Sequence, residues 1–223
     1  MLKAELELLR GVADGVWTAR RGAARMVAFR LVDGTLALYS PVAGLTDAFR
    51  MSVEAIGNVS VLVAPNHFHH LGLAEHAEAF GVRTIVAPTA AIARLERQME
   101  LKFEPLDTLE PRLPDDCSLR VTQGAKANEA WLSFPHEGGT GWAVCDAFAA
   151  KAARDDPPTS EPVMRGAFAS KCLPKKPEER EAYKAWARER IAAERLTLLL
   201  PCHGGAVAAP DLPERLLALV EAL

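Results

Sequence analysis

A chain of 223 residues with 49% hydrophobic content is long enough to bury a sizeable core and reads as one domain. Its formal net charge of -3 gives no general attraction for nucleic acid or anionic membranes, and the acidic opening Met1-Leu2-Lys3-Ala4-Glu5-Leu6-Glu7 puts charge where an export signal needs an apolar run. No stretch approaches the ~20 apolar residues of a membrane span, so a cytoplasmic protein is expected, with Cys117, Cys145, Cys172 and Cys202 widely spaced and kept as thiols.

In chain order, residues 12–18 read as a first short strand. Apolar-rich runs at 26–30 and 35–39 flank Asp33-Gly34, a dipeptide that predicts a hairpin. Pro41 and Gly44 break the pattern, and a short helix is expected over 45–56 with Asp47 near its first turn. The continuous apolar run 59–64 predicts a strand buried on both faces, hence a sheet covered by other layers. Helices follow at 73–80, ending at Gly81, and from Pro88-Thr89 to about Gln98, with a strand at 83–87 between them. Residues 103–116, rich in Pro and Asp, read as a loop. Three strands are expected at 118–122, 130–134 and 141–145. The region at about 149–177 is turn-rich and reads as an irregular, lid-like insertion. A helix over 177–195, a buried strand over 196–200 and a last helix over 213–222, with Leu216, Leu217, Val220 and Leu223 on one stripe, complete the chain.

The loop after the run 59–64 is Pro65-Asn66-His67-Phe68-His69-His70, which gathers three of the six histidines into four residues. Histidines two apart on a loop leaving a strand can turn two imidazoles toward one point, and neutral imidazole is the commonest nitrogen ligand of zinc-like ions. His136 follows the strand at 130–134, Asp146 ends the one at 141–145, and His203 follows the one at 196–200. In a layered fold such strand-end loops collect at one edge, where ligands and metals bind. His67, His69, His136, Asp146 and His203 are therefore the candidate metal ligands, a set that suits one or two zinc-type or iron-type ions. Period-2 alternation turns Cys145 and Cys202 to the face opposite Asp146 and His203, so both are expected to pack in the core.

At these residues the chain resembles the metallo-β-lactamase fold superfamily, whose members carry a His-x-His-x-Asp-His loop after a strand, a His in a Gly/Thr-containing turn, an Asp at a strand end and a late His-Gly. The corresponding residues are His67-Phe68-His69, His136 before Gly138-Gly139-Thr140, Asp146, and His203-Gly204. The resemblance runs from Val12 to the last helix. It implies an α/β (α+β) fold, a four-layer αββα sandwich of two mixed β-sheets with outer helices. The chain departs from the motif at Leu71-Gly72, which stand where the superfamily's Asp-His pair helps to hold a second ion. By the carry-over, His67, His69 and His136 form a three-histidine site with an open position, while Asp146 and His203 alone remain for a second. One ion is expected rather than two, zinc with iron or manganese as variants, and His70 and His76 are the nearby residues that could substitute for the missing pair.

The resemblance implies hydrolysis of a small ester, thioester, lactone or phosphoester through a metal-bound hydroxide, with Asp146 and Glu137 as the candidate catalytic carboxylates. The expected partner is a small-molecule substrate, with a homo-oligomer left open and no nucleic acid or membrane. The alternative is a non-catalytic or metal-depleted descendant that binds a small molecule or a protein partner.

Overall fold

The computed structural model describes residues 4–153 and 155–223. The reading of Met1, Leu2 and Lys3 as part of a non-exported N-terminus falls outside the described residues. The backbone divides into two compact units, Met1–Ser118 and Leu119–Leu223. Each has its own mixed sheet and helices, the α+β composition expected. Among the described residues no helix is long and apolar enough to cross a membrane.

The first unit is built on seven strands paired in chain order: β1 (Arg10–Ala13), β2 (Val16–Arg21), β3 (Ala24–Arg30), β4 (Leu36–Tyr39), β5 (Val59–Val63), β6 (Thr84–Ala87) and β7 (Glu104–Pro105). The first four run antiparallel through tight turns, the last of them at Asp33-Gly34 as expected, with Gly34 at φ 82°. From β4 onward the pairing is parallel. Parallel neighbours need crossovers, and these are α1 (Asp47–Glu54), α2 (Leu73–Phe80) and α3 (Thr89–Gln98). The Thr46 hydroxyl caps α1 by accepting from the Phe49 amide, and Gly81, at φ 65°, closes α2 in the left-handed conformation. Strand β5 is apolar throughout its buried half because Leu62 packs among Leu38, Phe49 and Ile85 on one side of the sheet. Burying each such side chain contributes about 1.5–3 kcal/mol. The loop expected over 103–116 contains β7 and a 3₁₀ turn, Leu106–Arg112.

The second unit contains β8 (Ser118–Val121), β9 (Ala130–His136), β10 (Gly139–Val144), β11 (Phe148–Ala150), β12 (Pro162–Met164), α4 (Gly166–Lys171), α5 (Glu181–Ala193), β13 (Leu196–Pro201) and α6 (Leu212–Glu221). Four of the strands form a sheet ordered β13-β10-β9-β8, and β11 pairs with β12 alone. The segment expected to be an irregular insertion thus holds β12 and α4, and the expected helix over 177–195 begins as a 3₁₀ turn, Pro177–Arg180, before α5. Its core is aromatic. Trp131 packs against Trp142 at 5.1 Å, Phe148 at 5.6 Å and Trp186 at 4.8 Å between ring centroids. Strands β9 and β10 form an antiparallel hairpin in which His136 pairs with Gly139, while β10 and β13 run parallel with Val144 beside Pro201. Those two pairings decide where each candidate ligand lies.

Candidate metal centre

In the first unit the histidine loop leaves the C-terminal end of β5. Buried Asn66 shapes it: its side-chain oxygen accepts from the amides of Phe68 at 2.8 Å and His69 at 3.2 Å, an Asx turn that forces the chain around. His69 Nδ1 lies 2.8 Å from the Ser40 hydroxyl. When Nδ1–H donates to that oxygen, Nε2 presents the lone pair a metal ligand needs. His67 is buried, with its ring against Phe68 at 4.0 Å. Phe68 and Leu71 are exposed, and the Arg94 guanidinium sits 5.4 Å from the Phe68 ring.

The departure from the motif is built into the backbone. Leu71 is 77% exposed, pointing to water. Gly72 is buried, and a Cβ added to it would lie 2.2 Å from the Pro41 carbonyl oxygen, so no larger residue fits this backbone. The two residues that could substitute differ in their surroundings. His70 Nδ1 is 3.1 Å from the His67 carbonyl. His76 is fully buried in α2, with Nδ1 2.9 Å from the Gly72 carbonyl and its ring between Phe49 and Phe80, and burial holds its pKa below the ordinary 6.5. Its Nε2 meets no hydrogen-bond partner among the described residues. It is a core histidine.

In the second unit Asp146 and His203 come together as expected. They follow the C-terminal ends of neighbouring parallel strands, and Asp146 Oδ1 is 3.2 Å from His203 Nε2. The same Oδ1 receives the Arg165 guanidinium, which β12 delivers because Phe148 pairs with Met164 and Arg165 donates its amide to the Ala147 carbonyl. Cys145 and Cys202 are core residues, 0% and 1% exposed, with sulfurs within 4.8 Å of each other and the Cys145 thiol pushed well above its ordinary pKa by burial. The expected separation of faces fails for Cys145, whose Sγ lies 3.9 Å from Asp146 Oδ2. Strand β10 ends at Val144 and residues 145–147 form a bend, so period-2 alternation stops before Asp146.

His136 is not part of this group. It closes β9 at the hairpin, across from Gly139, and therefore sits at the N-terminal end of β10, whereas Asp146 lies beyond the C-terminal end. Seven residues at ~3.3 Å each put them on the order of 20 Å apart. There Nδ1 of His136 is 2.9 Å from the Thr197 hydroxyl, which in turn donates to the His136 carbonyl and ties the hairpin to β13. Glu137 is exposed in the turn at φ 43°, at the same far end. The expectation that all strand ends meet at one edge fails because an antiparallel hairpin sends the ends of its two strands in opposite directions.

The residue that occupies the near end of β9 is Glu129, which the sequence did not single out. It is fully buried, and its carboxylate accepts four N–H groups: Oε1 from Cys145 at 2.8 Å and the Trp131 indole at 2.7 Å, Oε2 from Asp146 at 2.7 Å and Ala147 at 3.0 Å. Burial and the Asp146 carboxylate push its pKa up to about 7, against the bonds from the Cys145 and Asp146 amides and the Trp131 indole, which favour the charged form. With every lone-pair direction taken, Glu129 has none left for an ion.

The donor set fits one metal ion. Two ligand atoms on a tetrahedral ion with bonds of about 2.0–2.1 Å stand roughly 3.3 Å apart, and Asp146 Oδ1 and His203 Nε2 are at 3.2 Å.

No protein-family profile and no curated protein matches the chain. Solved structures do. A metallo-β-lactamase from Erythrobacter litoralis is 15% identical with a TM-score of 0.63, covering 96% of both chains. The metallo-β-lactamase FIM-1 from Pseudomonas aeruginosa, in a mono-zinc form, is 10% identical with a TM-score of 0.61 over 99% of this chain and 96% of its own. A metallo-β-lactamase from Pontibacter korlensis is 12% identical with a TM-score of 0.61 over 98% and 100%.

Proposed function

On the premise of the metallo-β-lactamase fold, which the chain has over nearly its whole length, we propose that it is a metal-dependent hydrolase of a small ester, thioester, lactone or phosphoester. One zinc-type ion would be held in the second unit by Asp146 and His203; His67 and His69, in the first unit, are ligand candidates by the order of the motif alone. The observation that carries this reading is the 3.2 Å separation of Asp146 Oδ1 and His203 Nε2. An ion bound there supplies Lewis acidity and a water acidified to a pKa of about 7.

The chain's own groups divide the remaining work. Asp146 brings the negative charge that offsets the ion, and it is the one candidate carboxylate left for proton transfer once Glu137 is placed at the far end of the hairpin. His203 offers Nε2 as the nitrogen ligand beside that carboxylate. The Arg165 guanidinium, its side chain 25% exposed, keeps a fixed positive charge beside Asp146, suited to the charge that develops on a carbonyl or phosphoryl oxygen.

The same guanidinium favours a second reading, a descendant in which Arg165 alone neutralises Asp146 and the protein binds a small molecule without turnover. Metal analysis of protein purified without chelator separates the two. Near-stoichiometric zinc, iron or manganese, lost in Asp146→Asn and His203→Ala and retained in His136→Ala, supports the hydrolase. A protein that is metal-free and stays inert toward esters, thioesters, lactones and phosphodiesters after reconstitution would sink it.

A further inference from the structure

We propose that Glu129 is the positioning residue of the centre: it sets the bend that aims Asp146, and the protein's affinity for a divalent ion depends on it although it touches no ion. The inference rests on the reading of Asp146 as a ligand.

Three consecutive backbone amides, those of Cys145, Asp146 and Ala147, converge on one carboxylate. In a continuing strand successive N–H groups point to opposite sides, so three on one acceptor require the backbone to curl around it. The curl is what turns the Asp146 side chain back to the side of Cys145 and toward His203. Glu129 is itself fixed from both directions. Its amide donates to the Thr122 hydroxyl oxygen at 3.0 Å, and the Trp131 indole, locked in the aromatic core, donates to Oε1. A carboxylate is the side chain that accepts four N–H bonds and donates none. Glutamine, nearly the same in shape, aims an NH₂ at two of those donors. Partners that orient a ligand are commonly worth 10- to 100-fold in metal affinity.

The test uses the full-length protein, wild type and Glu129→Gln, with Trp131→Phe as a variant that removes one bond to the carboxylate and leaves the three amides in place. Cobalt(II) affinity is measured by chelator competition, and backbone amide exchange by NMR on the metal-free protein. Glu129→Gln is expected to bind cobalt(II) 10- to 100-fold more weakly and to free the amides of Cys145, Asp146 and Ala147 at least tenfold more than the remaining core amides. Trp131→Phe is expected to lose thermal stability while its affinity stays within about threefold of wild type. Uniform acceleration of all core amides in Glu129→Gln, or freed amides with unchanged affinity, overturns the proposal. So does rapid, loop-like exchange of the three amides in the wild-type protein, a measurement that stands even if the variant does not fold. Wild-type protein that binds no cobalt(II) while the three amides are selectively freed in the variant refutes the hydrolase reading and, with it, the ligand role of Asp146 on which this inference rests. The bend is then a structural feature alone.

Discussion

Replacing Leu71-Gly72 by the Asp-His pair that the motif carries elsewhere looks like the way to give this protein a second ion, and the backbone predicts that it fails at one of the two positions. Gly72 lies at φ -92°, ψ -10°, a right-handed conformation that any residue adopts, so no backbone strain opposes a side chain there. On conformational grounds Gly72→Ala should even stabilise, by about 0.4–1 kcal/mol. Against this, its Cβ would stand 2.2 Å from the Pro41 oxygen and 2.9 Å from the Val42 carbonyl carbon. Carbon and oxygen approach to about 3.3 Å at best, so the loop must retreat by roughly 1 Å. Overpacking of this kind costs about 1–3 kcal/mol, and the upper end applies because the obstacle is backbone and cannot rotate away. The net is about 2–2.6 kcal/mol, a fall in Tm of roughly 4–10 °C for a chain of this size. Leu71→Asp, on a residue 77% exposed, should stay within about 0.5 kcal/mol of wild type. Thermal melts of the two single variants decide the matter. A Gly72→Ala protein that melts at or above the wild-type temperature refutes the steric argument.

Three other outcomes follow from the geometry. Because burial depresses the His76 pKa below 6.5, the unfolded chain takes up the proton more readily than the fold does. Stability from the neutral ring is therefore full above about pH 6.5 and falls as the pH drops toward the depressed value, and urea midpoints at neutral and mildly acidic pH should differ less in His76→Leu than in wild type. Equal differences in the two proteins would remove His76 as the cause. Arg165 and His203 share one oxygen of Asp146, so Arg165→Gln should tighten divalent-ion binding on the order of 10-fold, ~1.4 kcal/mol, by removing a competing cation; weaker binding in a chelator competition would show instead that the guanidinium helps to hold the ligand. His136→Ala, which loses the bond to Thr197, should cost about 1 kcal/mol of unfolding free energy in urea titrations, and unchanged stability would count against its role as a hairpin tie.

What could be read from the sequence was local. The apolar run of β5, Asp33-Gly34 and Gly81 each carry their own short-range cause, and each element stands where expected. The closeness of Asp146 and His203 was legible because both follow the ends of neighbouring parallel strands. His136 was misplaced because strand direction is not written in the strand: His136-Glu137-Gly138-Gly139 reads equally well as a ligand loop or as the turn of an antiparallel hairpin, and only the pairing with β10 decides. Glu129 escaped for a related reason. In Ala127-Asn128-Glu129 it has the appearance of a solvated loop residue, and its burial comes from the bend of a segment sixteen residues away in sequence. Cys145 shows the limit of the alternation rule, which holds only while the strand lasts.

The pairing of β10 with β13 has a consequence for how such a protein can change. Asp146 and His203 are fifty-seven residues apart along the chain, yet their separation is set by the spacing of adjacent strands, about 4.8 Å, and by the bond from the Cys202 amide to the Val144 carbonyl. Chain length between them does not enter. A turn in that stretch, such as residues 174–176 between α4 and α5, can therefore gain or lose residues without altering the distance between the two groups, so that the surroundings of the pair can be remodelled while the pair itself stays in register.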